Sequence, residues 1–115
     1  VSDTEYSDEI ADQYIGSRVL LLPVTTPMGN RIRYHLCTDD AISFIERVKP
    51  ELAIFIHLGI VMIRRDPAKQ AAMVEEATGI RTIAAEDLMT LDVGDNLVIG
   101  RADVHQGSWI PDSAP

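Results

Sequence analysis

Cysteine is all but missing from this chain, and that absence excludes an intrachain disulfide framework. The one thiol, Cys37, fits a reducing compartment. Positive charge is also scarce: 10 Lys and Arg face 18 Asp and Glu, a formal net charge of -8. That balance disfavours non-specific attachment to nucleic acid or to an anionic membrane, since both demand basic protein surface. No apolar run approaches the roughly 20 residues of a membrane-spanning helix. The acidic start, Val1-Ser2-Asp3-Thr4-Glu5, lacks the basic and then apolar plan of a signal peptide. Aromatic residues are only 5% of the chain, and histidines number three. At 115 residues there is room for one compact domain. The expectation is a soluble, cytoplasmic, single domain without a membrane partner.

What is present alternates helical and strand signals. Thr4 is expected to cap a helix reaching residue 15, with Tyr6, Ile10 and Tyr14 stacked on one side. Gly16 stands where a left-handed stop is wanted. Residues 19–24 are almost wholly apolar and show no alternation, so a strand covered on both faces is expected, with Pro23 marking its end or an edge. Residues 25–36 carry Pro27, Gly29 and Asn30 and read as a loop. Thr38 is expected to cap a second helix with the stripe Ala41, Phe44, Ile45 and Val48, while Asp39 and Asp40 favour its positive first turn.

Pro50 punctuates that helix, residues 52–56 form a second buried strand, and His57 stands at its end. A loop through Gly59, Arg64 and Arg65 leads to Asp66-Pro67, a cap with proline at the first helical position. That third helix ends near Gly79. Residues 81–84, 88–93 and 96–99 read as shorter strands, the last two joined by a turn at Gly94-Asp95. Residues 101–115 read as a tail. The plan is α/β, and in such folds ligands collect at the carboxyl ends of the strands.

Three segments carry a resemblance. They are Ser2-Asp3-Thr4-Glu5-Tyr6, Tyr34-His35-Leu36-Cys37-Thr38-Asp39-Asp40-Ala41, and the run from Val48-Lys49-Pro50 through Ile56-His57-Leu58-Gly59. Together they resemble the C-terminal half of metallo-β-lactamase-fold hydrolases, over residues 1 to about 93. The resemblance implies half of an αββα sandwich, with a domain segment at 1–100 and a tail at 101–115. It implies that Asp3 bridges two metal ions and that His57 binds one of them. A carboxylate with two oxygens and a neutral imidazole both suit zinc. His35 resembles the histidine of a His-Ser-Thr segment in the tRNA 3′-processing branch, RNase Z, where it assists near the scissile phosphate, although the spacing to Thr38 is one residue longer.

The departures from the family are equally specific. Ile56 and Leu58 flank His57 where the family has threonine and phenylalanine, and the first metal motif, His-x-His-x-Asp-His, is absent. Three histidines cannot build a dinuclear centre, so this chain alone should be inactive and bind zinc weakly or not at all. Its expected partner is the missing N-terminal half or a second copy of the chain, covering an inner sheet face that includes residues 20–22 and 54–56. The complete enzyme would hold two zinc ions and cleave a small-molecule or phosphoester substrate, and this acidic segment alone is not expected to bind nucleic acid. The alternative is a non-catalytic α/β interaction or scaffold module derived from the same fold. Arg31, Arg33, Arg64 and Arg65 flank the expected site; they either hold a phosphate or solvate the loop faces. Cys37 has no base beside it and reads as inert.

Overall fold

The computed structural model describes residues 1, 4–103 and 108–111, with side chains as far as residue 101. Asp3 and His105 therefore lie outside the described residues. The chain forms two compact units, residues 1–84 and 85–115. The architecture is mixed α/β, with a four-stranded parallel sheet and a smaller three-stranded antiparallel one.

The first unit opens with α1 (Asp8–Asp12), shorter than expected. Its cap is Ser7, whose hydroxyl accepts from the Ile10 amide, and not Thr4. The physical reason lies upstream, where the Glu5 carboxylate accepts from the Tyr34 amide and ties that stretch to a distant loop. The expected stripe still reaches the core, because the Tyr6 and Tyr14 rings both meet Phe44 edge-on, at 5.2 and 6.4 Å. Gly16 takes the left-handed conformation (φ 97°) that ends the turn.

Strand β1 (Val19–Thr26) follows, then β2 (Leu36–Cys37), α2 (Thr38–Val48), β3 (Leu52–Ile56), α3 (Ile60–Arg64), α4 (Pro67–Thr78) and β4 (Arg81–Ala84). The sheet order is β2-β1-β3-β4, and every pairing is parallel. Pro23 does not end β1. It shares its flank with Leu21, whose carbonyl accepts from the N-terminal ammonium of Val1, before β2 begins to pair at Val24. The missing amide thus lies on a locally open edge.

Leu20, Leu22 and Val24 of β1 form one buried cluster with Ala53 and Phe55 of β3, the α2 stripe, Met62 of α3, and Ala71 and Val74 of α4. The register sets Leu20 beside Ala53 and Leu22 beside Phe55, so one row of each strand feeds this core. Each such large side chain contributes about 1.5–3 kcal/mol on burial. The opposite row behaves differently. Leu21 is 44% exposed, so β1 is not covered evenly on both faces, while Leu52 and Ile54 are buried. Among residues 20–22 and 54–56, Leu21 is the one large side chain left open to water.

The cap of α2 is Cys37, one residue before the expected Thr38. Asp40 reaches back to accept from the Cys37 amide at 3.1 Å, which frees the Thr38 hydroxyl to donate to Gln70 Oε1 on α4 at 2.9 Å. The α4 signals are as read: the Asp66 side chain accepts from the Lys69 amide, Pro67 occupies the first position, and Gly79 closes the helix at φ 75°. Residues 60–64, read as loop, instead form the single turn of α3, anchored by buried Met62.

The second unit holds β5 (Met89–Val93), β6 (Leu97–Asp103) and β7 (Ser108–Pro111) in antiparallel order. The β5–β6 connection spans residues 94–96, one longer than the expected two-residue turn. The expected boundary at residue 100 falls inside β6. Pairing of Gly100 with Pro111 and of Asp103 with Ser108 draws part of the expected tail into this sheet.

Candidate functional site

Parallel strands point their carboxyl ends the same way. His57 stands at the carboxyl end of β3, whereas His35 stands at the amino end of the short β2, which pairs only with the last residues of β1. His57 directly follows β3, is exposed, and has φ 54°, a left-handed conformation uncommon outside glycine. Two residues on, the Gly59 amide donates to the Thr25 carbonyl at 2.9 Å, clamping the ends of β3 and β1 together. A Cβ at Gly59 would stand 2.6 Å from that same oxygen, so only glycine fits the clamp. The hydroxyls of Thr25 and Thr26, at the end of β1, are buried without a hydrogen-bond partner among the described residues.

His35 immediately precedes β2 and is half-buried. Its Nδ1 lies 2.9 Å from the Arg33 carbonyl, and its amide donates to the Ile32 carbonyl at 3.1 Å. Leu36 pairs with Val24, and Ile56 with Pro23, so His35 and His57 flank the end of β1 from opposite sides. Two strand spacings put the backbones of these strands about 10 Å apart. Thus the structure brings His35 and His57 to one edge but not to one point. Among the described residues no three His, Cys, Asp or Glu side chains cluster as a metal site would need.

The loop 27–35 is fastened from several directions. The Met28 amide donates to Gln70 Oε1 at 3.0 Å and the Gly29 amide to Asp39 Oδ1 at 3.3 Å. Arg31 Nη1 donates to both oxygens of Asp40, at 2.8 and 3.0 Å. Asp40 is only 5% exposed, and its Oδ2 also takes the Cys37 amide and thiol. This pairing raises the Arg31 pKa further above its ordinary value, chiefly through the hydrogen bond to Asp40. Burial pushes the Cys37 thiol up, and the Asp40 carboxylate stands beside it, where the sequence reads no base. Of the four arginines near this edge, Arg31 is committed to Asp40 and Arg33 lies over the Tyr34 ring at 4.8 Å. Arg64 and Arg65 are exposed at the end of α3.

Asp40 is the residue that sequence reasoning undervalued, as a partner of the helix dipole alone. Its spacing of three from Cys37 matches a capping box, but a cysteine in place of serine or threonine hides the signal. An open groove of about 320 Å³ lies elsewhere, lined by Tyr6, Asp8, Ser43, Glu46 and Arg47, and holds none of the expected site residues.

The fold is an α/β unit with His57 at the carboxyl end of a parallel strand and His35 at the start of the neighbouring short strand β2. No protein-family model matches the sequence. Over 86 residues the chain is 36% identical to an uncharacterized protein of Methanocaldococcus jannaschii, MJ1374, an alignment covering 73% of this chain and 32% of that protein. The chain thus spans about a third of the length of the curated relative it matches.

Proposed function

We propose that this chain is the C-terminal part of a zinc-dependent hydrolase of the metallo-β-lactamase fold, contributing one sheet and its helices to the αββα sandwich. The observation that carries the reading is His57: an exposed imidazole at the end of a parallel strand, beside a glycine clamp that fixes the strand end. Such an imidazole is a suitable zinc donor. In this reading Asp3 bridges two zinc ions, His57 binds one, and His35 delivers a proton to the leaving group of a small-molecule or phosphoester substrate. Zinc, when bound, lowers the pKa of a coordinated water and polarises the scissile bond.

The described residues offer no third ligand, so the remaining ligands come from a missing N-terminal half or a second copy of the chain. A relative three times the aligned length is in keeping with such a half. A single free cysteine, buried, is in keeping with a cytoplasmic location. No described helix is long and apolar enough to cross a membrane.

The test is zinc-dependent phosphodiester hydrolysis by the native-length polypeptide. His57→Ala should reduce turnover by more than the roughly 10- to 100-fold lost on removing groups that merely orient metal ligands. Unchanged zinc content and turnover in that variant would remove the hydrolase reading and favour an interaction module.

A further inference from the structure

The contact between His35 Nδ1 and the Arg33 carbonyl constrains the ring chemically. A carbonyl oxygen only accepts, so Nδ1 must carry the proton and donate. In the neutral ring the lone pair is then on Nε2. This is the opposite of the tautomer an unconstrained imidazole prefers, so something must hold the geometry.

The turn that holds it is strained, because Tyr34 sits at φ 64° between the two residues in contact. Such a conformation is costly for a residue other than glycine and persists only where its surroundings enforce it. Two anchors bracket the turn. On one side Arg31 is held by Asp40, which is buried and already fixed by the Cys37 amide at the start of α2. On the other, the Tyr34 amide donates to Glu5 Oε1 at 2.7 Å.

We infer that His35 works through an unprotonated Nε2, and that Asp40, acting through Arg31, is the positioning residue that selects this tautomer. The catalytic meaning rests on the hydrolase reading: the neutral ring accepts at Nε2, so it can protonate a leaving group only after first taking a proton there. The tautomer itself does not rest on that reading.

The test is two-bond 1H–15N correlation spectroscopy of the 15N-histidine-labelled chain, at about pH 8.5 where an ordinary imidazole is neutral. His35→Gln assigns the signal. The expected result is the Nδ1–H pattern for His35. Arg31→Gln should move it toward a mixture with the Nε2–H form. Arg31→Lys, whose ammonium can bridge both carboxylate oxygens, should restore it. Glu5→Ala removes the acceptor of the Tyr34 amide without touching the α2 cap, and should shift the pattern in the same direction. A wild-type Nε2–H pattern overturns the inference, and so does an Nδ1–H pattern that Arg31→Gln leaves unchanged, whatever Glu5→Ala does. None of these spectra depends on zinc or turnover, so failure of the hydrolase test and failure of this one are separately visible.

Discussion

Replacing Gly59 by alanine should destabilise residues 1–84 by about 2–4 kcal/mol. Two terms make up this figure. The new methyl would stand 2.6 Å from the Thr25 carbonyl oxygen and 3.2 Å from Thr25 Cγ2. Forcing extra volume into such a fit costs typically about 1–3 kcal/mol. Relieving the clash by moving the strand ends apart breaks the Gly59–Thr25 hydrogen bond, worth about 1 kcal/mol. Backbone strain adds nothing, because Gly59 has an ordinary extended conformation (φ -75°) open to any residue. All helices among the described residues lie in residues 1–84, so ellipticity at 222 nm during urea unfolding reports this unit. A melting temperature lowered by roughly 10 °C or more corresponds to the same loss. Gly94→Ala is the control, since a methyl there meets nothing closer than 3.9 Å and should change stability by less than about 0.5 kcal/mol. A Gly59→Ala protein as stable as the control would refute the claim that the β1 and β3 ends are clamped.

Phe44→Ala should cost about 3–5 kcal/mol, since the ring is fully buried and receives the edges of Tyr6 and Tyr14; near-ultraviolet circular dichroism should lose the tyrosine signal with it. The Tyr6 phenol, hydrogen-bonded to Asp8, is pushed up to about 12. Because its folded pKa lies above the unfolded value near 10, its contribution is present below about pH 10 and is lost as pH rises through about 12. Absorbance at 295 nm should show one late tyrosine ionisation that Tyr6→Phe abolishes. The Arg47 guanidinium holds the Asp12 carboxyl below its ordinary value, so the stability it lends is present above the unfolded carboxylate pKa and lost as pH falls through the folded one. Asp12→Asn should flatten the acid limb of a stability profile between about pH 5 and 2. Cys37 should react with a thiol reagent only as fast as the first unit opens, and a urea-independent fast reaction would contradict its burial.

The strands and the long helices were legible because burial periodicity and stop signals agreed. The stretch 52–56 is bounded by Pro50 and Gly59, and α4 by Asp66-Pro67 and Gly79. Helix starts were less legible, because a cap depends on which partner wins a side chain. Thr38 donates to Gln70, 32 positions away, and Glu5 takes the Tyr34 amide, 29 positions away, so neither start could be fixed locally. The short β2 strand and α3 have no periodicity to read; Leu36, Cys37 and Met62 are buried, and pairing with β1 and the Asp40 carboxylate, neither visible in a two-residue run, hold the first two. At the site, the positions of His57 and His35 at the sheet edge follow from element order. The strap that holds His35 joins residues from the N-terminal segment, the loop and α2, and its spacing leaves no local mark.

The central claim is that His57 is a zinc ligand in a site this chain only partly supplies, and calorimetric titration of zinc into the isolated chain tests it most directly. The expected result is weak binding, with a dissociation constant above about 1 μM because no three donor side chains cluster among the described residues, and loss of even that heat in His57→Ala. Submicromolar binding with tetrahedral geometry, or binding indifferent to His57, would contradict it.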